Sequence, residues 1–69
     1  MSDLNDRLLA AHAKGDHAAL VHLYAEAADR APDTDTACFY LTHAYVFALE
    51  MGHKDTALLH ARLKAHGRV

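Results

Sequence analysis

The sequence predicts an all-α fold of four helices, arranged as two stacked antiparallel helix-turn-helix hairpins. Three observations carry this. Alanine and leucine, both strong helix formers, supply 25 of the 69 residues, while β-branched residues are confined to three Val and four Thr. Apolar residues recur at the three- and four-residue spacing of one helix face. The chain is punctuated at Gly15-Asp16, at Pro32-Asp33-Thr34-Asp35 and at Gly52-His53, where glycine supplies a left-handed helix end and proline cannot continue a helix interior.

Between these points each element has its own reason. Helix one is predicted over about 3–14. Ser2 is its expected N-cap, Asp3 and Asp6 complement its positive end, and Lys14 sits at the negative end before Gly15. Its stripe is Leu4, Leu8 and Ala11, with Leu9 and Ala13 beside it. Helix two is predicted over about 17–31 with Asp16 as cap. Leu20, Leu23, Tyr24, Ala27 and Ala31 form one buried face, and Pro32 ends it. Helix three is predicted over about 35–51, capped by Asp33 or Thr34. Cys38, Leu41, Tyr45, Ala48 and Leu49 form a stripe that Tyr40, Ala44, Phe47 and Met51 widen to an arc of roughly 200°. One neighbouring helix covers about half such an arc, so helix three is expected to sit centrally or to meet another chain. Helix four is predicted over about 54–66. Asp55 falls in its first turn and Arg62, Lys64 and His66 in its last. Leu58, Ala61, Ala65, Leu59 and Leu63 give its apolar side, and Gly67 closes it.

The chain is therefore read as a single domain, 1–69, with one hairpin over about 3–31 and the other over about 35–66. Gly15 and Gly52 lie 37 residues apart, and Leu20-Val21-His22 lies 38 residues before Leu58-Leu59-His60. A period near 35 in helical sequence marks stacked helical hairpins. On these residues the chain resembles the tetratricopeptide repeat. Leu41, Thr42, Ala44 and Tyr45 resemble the first-helix signature of that family, Gly52 its turn glycine and Ala57 the small residue where the second helix packs on the first. In the first half, Gly15-Asp16, Tyr24, Ala27 and Pro32 resemble the turn, second-helix and terminal-proline positions of that family. The chain departs from the pattern at Arg7, Leu8 and Ala11, in about three extra residues between Tyr45 and Gly52, and in lacking a proline after helix four. The resemblance implies a scaffold for protein–protein contact and no catalysis. Since about three repeats are normally needed for stability, two imply dense packing, self-association or docking on a partner.

Composition excludes several function classes. Seven Lys/Arg against nine Asp/Glu, net charge −2, offers no basic field for nucleic acid. No apolar run reaches the length of a membrane span. A single Cys forms no internal disulfide, and the acidic start of the chain is unlike a secretory leader, so a complete cytoplasmic protein is expected. Seven histidines, 12, 17, 22, 43, 53, 60 and 66, are unusual at this length and add positive charge as pH falls toward about 6. No pair has the three- or four-residue spacing that places two ligands on one helix face. His17 and His22, five apart, lie about 140° apart round a helix. They are expected on helix surfaces, and no metal, cofactor or catalytic residue is assigned. Cys38 falls on a core stripe away from His43, and Asp33 and Asp35 fit a capping turn better than a calcium loop.

The expected function is thus non-enzymatic: a protein–protein interaction module that self-associates as a homodimer, or binds a partner, through the apolar face of helix three. The candidate surface is Phe39, Tyr40, His43, Val46, Phe47 and Met51, with His43 and Glu50 on its rim, because aromatic residues anchor interfaces. The alternative is a small histidine-rich helical protein that responds to metal or pH.

Overall fold

A computed structural model describes residues 3–69. Four helices form, and no strand occurs among the described residues: α1 (Asp3–Lys14), α2 (His17–Asp29), α3 (Thr34–Met51) and α4 (Thr56–Ala65). The expected cap at Ser2 lies outside the described residues. The other caps form where the sequence places them. Asp16 Oδ1 accepts the Ala19 N–H at 3.2 Å, and Asp33 Oδ1 accepts the Thr36 N–H at 2.8 Å. Helices α1 and α3 end alike. Gly15 and Gly52 adopt φ of 65° and 62°. The next residue's N–H then turns back to a carbonyl of the last turn, Asp16 to Ala11 and His53 to Ala48. A Cβ at Gly52 would meet no atom within 4 Å, so its cost is purely conformational. Gly52→Ala is expected to lower stability by about 1–2 kcal/mol, the penalty of a left-handed alanine. Urea unfolding of both chains measures it.

Hydrogen bonding by Thr36, mainly from its backbone N–H, holds the Asp33 carboxyl below the usual carboxylate range. A depressed carboxyl pKa contributes stability that is present above the unfolded value, near 4, and fades as pH falls through the folded one. Asp33→Ala is therefore expected to lower the melting temperature at pH 7 and to lower it less at pH 3. Asp33→Asn, which keeps the cap oxygen without the titration, should hold most of the pH 7 stability.

Each helix packs on its neighbour in the chain, α1 on α2, α2 on α3 and α3 on α4, with the α2–α3 contact the most extensive. The short dimension of the molecule is only 12 Å, against 31 and 29 Å for the others, so the hairpins form a single pleated layer. In such a layer the inner helices must bury two sides. Leu20, Leu23 and Ala27 of α2 close one cluster with Leu4 and Ala11 of α1. Val21 and Ala28 of α2 join Cys38, Leu41, Ala44 and Ala48 of α3 and Leu59 and Leu63 of α4 in the other. The sequence reading missed the burial of Val21 and Ala28, because it gave α2 a single neighbour.

Four further expectations are corrected. α2 stops at Asp29, two residues before Ala31, and α4 spans Thr56–Ala65 rather than 54–66. On α4 only Leu59 and Leu63 are buried. Leu58 is 60% exposed, Ala61 and Ala65 face solvent, and so does Ala57, where close packing was expected. α4 lies close to α3 alone and buries one narrow face, Leu59 and Leu63, in the cluster shared with α2 and α3. On α3, Leu49 is exposed and Ala44 takes its place in the core. Small residues at 44 and 48 let α3 lie close against the helices beside it.

Candidate functional site

The residues of the expected α3 surface fall into two groups. Tyr40 and Phe47 are half-buried and pack against both core clusters, joining them. They lean toward Tyr24 of α2, whose ring sits 6.2 Å from Tyr40, 6.0 Å from Phe47 and 5.1 Å from His43, centroid to centroid. His12 of α1 bonds the Tyr24 hydroxyl through Nε2 at 2.8 Å, and the His17 ring lies 5.3 Å from that of Phe47. Burial, with Tyr40 adding to it, pushes the Tyr24 phenol above its ordinary pKa, so it keeps its proton at neutral pH. This aromatic and imidazole face covers about half of the excess apolar arc of α3 from within the chain.

The other group stays uncovered. Phe39 is 58% exposed and Val46 is 45% exposed, on the flank of α3 beside that face, while Met51 is exposed about 120° round the helix from Phe39, at the C-terminal end of α3. His43 is not at a rim. It is half-buried, its ring stacks on Tyr24 and lies 4.5 Å from Phe39, and its Nδ1–H donates to the Phe39 carbonyl at 2.9 Å. Next to Phe39, the residues Thr42, His43, Val46 and Phe47 line an open and almost wholly apolar concavity of about 240 Å³. Glu50, expected on the rim, is exposed.

No family model, no curated protein and no solved structure matches this chain.

The opposite face of α2 holds a second constellation. His22 lies two residues before Tyr24, about 160° from it round the helix. Its ring meets that of His53, with centroids 5.2 Å apart. His53 and Asp55 belong to the turn between α3 and α4, and one donor atom from each of His22, His53 and Asp55 lies within 4.8 Å of the other two. The His53 side chain is 9% exposed, against the expectation of a surface histidine. Sequence spacing gave no signal for this group, because 31 residues separate His22 from His53. The only hint was that any histidine cluster here had to be built across helices.

Exposed ion pairs frame both faces. Arg7 of α1 reaches Glu26 of α2 with two nitrogens, at 2.8 and 3.3 Å, and lowers the Glu26 carboxyl pKa. Arg62 of α4 reaches Asp29 at 2.5 Å, and Arg68 reaches Asp35. Exposed pairs contribute little to stability, but these tie α1 to α2, α2 to α4 and the C-terminal residues to α3. No helix among the described residues is long and apolar enough to cross a membrane.

Proposed function

We propose that this chain is a cytoplasmic, non-enzymatic protein–protein interaction module that self-associates through the uncovered flank of α3. What supports the reading is an exposed Phe39 and an apolar concavity on the same helix, a pair of features that a second copy could complement. Phe39 projects from α3, and the apolar concavity of Thr42, His43, Val46 and Phe47 lies about 8 Å further along the same helix, at 1.5 Å per residue. A two-fold contact sets the same patch on both subunits. Two antiparallel copies of α3 then seat Phe39 of each copy in the concavity of the other. The size suits a ring, since a cavity of about 150 Å³ accepts benzene. Val46 extends the apolar contact, and the resemblance to the tetratricopeptide repeat supports a role in protein contact. The unpaired, buried thiol of Cys38 suits a reducing compartment.

Light scattering after size exclusion, over a range of concentrations, tests the proposal. The chain should run as a dimer. Phe39→Asp and Val46→Asp should each run as monomers with unchanged helicity, because neither side chain is part of the core. Leu58→Asp, on the far face of α4, should leave the dimer intact. A wild-type monomer at all concentrations, or a dimer that survives Phe39→Asp, would overturn the reading.

A further inference from the structure

We infer that His22, His53 and Asp55 form a binding site for a divalent late first-row transition ion, of which Zn²⁺ is the type. The donor set is two imidazoles, the borderline ligands such ions favour, and one carboxylate, a harder oxygen ligand that Zn²⁺ also takes, with remaining positions left for water.

The geometry is close to what an ion needs. A zinc–nitrogen bond of about 2.0–2.1 Å puts the centroids of two imidazoles on one tetrahedral ion about 5 Å apart. The rings of His22 and His53 are 5.2 Å apart and stand at 75° to one another. The three donor atoms are already within 4.8 Å of each other, and tetrahedral ligands sit about 3.3 Å apart, so closure takes a shift of about 1.5 Å at most. His22 is exposed and free to make it.

The α3–α4 turn prepares the other two ligands. The His53 N–H is held by the Ala48 carbonyl at 2.9 Å. The His53 carbonyl accepts from the Thr56 N–H at 3.2 Å and from its hydroxyl at 2.7 Å. The Asp55 N–H donates to His53 Nδ1 at 3.0 Å, which selects the tautomer with a bare lone pair on Nδ1. That nitrogen lies 3.9 Å from Asp55 Oδ2. Asp55 occupies the N-cap position of α4, yet its side chain makes no capping bond. Thr56 and His53 close that turn instead, and the Asp55 carboxylate is left beside the two imidazoles. An ion here takes the place of the Asp55 N–H at Nδ1 and pins the α3–α4 turn to α2. The site lies on the face opposite Tyr24 and does not involve the proposed dimer contact, so the two ideas stand or fall separately.

Zn²⁺ titration by calorimetry, and Co²⁺ titration followed by visible absorption, test the site on the intact chain. The wild type should bind one ion per chain, give the absorption of a low-symmetry Co²⁺ site and melt at a higher temperature with Zn²⁺ present. His22→Gln leaves the fold intact, since His22 is exposed, and should weaken binding by at least about tenfold, a loss that even an outer-shell partner of a metal ligand commonly brings. Asp55→Asn should weaken it too, while His60→Gln and Phe39→Asp should bind as the wild type does. Absence of binding in the wild type, or equal binding by His22→Gln, would overturn the inference.

Discussion

Leu41→Ala is expected to cost the chain a large share of its stability at 25 °C, about 2–5 kcal/mol. Leu41 is 1% exposed, at the centre of the cluster shared by α2, α3 and α4. Removing a buried leucine side chain costs about 2–5 kcal/mol, the lost transfer energy plus the cavity left behind. A domain of this length holds a total of roughly 3–10 kcal/mol. The layer is one helix deep, so no second shell of side chains can collapse into the gap. Urea unfolding followed by circular dichroism measures the loss. Leu58→Ala is the matched control: the same truncation on the solvent side of α4 should change stability by about 0.5 kcal/mol or less. Comparable losses from the two substitutions would show that α4 packs by a different face from the one described.

Tyr24→Ala is expected to have the next largest effect, about 2–4 kcal/mol, and Tyr24→Phe at most about 1 kcal/mol. The Tyr24 ring is the hub of the inner face. It packs against both core clusters and meets the rings of His12, Tyr40, His43 and Phe47. Truncation to alanine removes the wedge between α1 and α3 and exposes Tyr40 and Phe47. Replacement by phenylalanine removes only the hydroxyl bonded to His12. Thermal and urea unfolding of the two variants separate ring packing from that hydrogen bond. A large loss in Tyr24→Phe would place the stability in the hydroxyl contact rather than in the ring.

The helix positions and most helix ends were legible in the sequence because each depends on a few consecutive residues. Asp16 and Asp33 cap the helices they precede, and Gly15 and Gly52 end those they follow, as local backbone chemistry requires. The excess apolar arc of α3 was legible too, since it needs only the helical period. Which part of that arc stays open was not. Phe39 lies further round α3 than Tyr40 and Phe47 on the helical period, but the period does not say which of these aromatic rings a neighbouring helix will cover. Only the rings of Tyr24, His12 and His17, arriving from other helices, cover Tyr40 and Phe47 and leave Phe39 bare. Leu58 and Leu59 present the same ambiguity on α4, because a helix rich in Leu and Ala carries more than one face that can be buried.

The sequence by itself determined the all-α class, four helices in two hairpins, the caps of α2 and α3 and a stripe on α3 wider than one neighbour needs. The tertiary structure alone settled that α2 buries two sides, that Leu59 rather than Leu58 enters the core, and that His22 meets His53 and Asp55 across a gap of 31 residues. The physical reason is range. Helix propensity, capping and periodicity act over about four residues along the chain. Burial and side-chain convergence depend on the directions from which neighbouring helices approach, and those directions arise only when all the helices pack together.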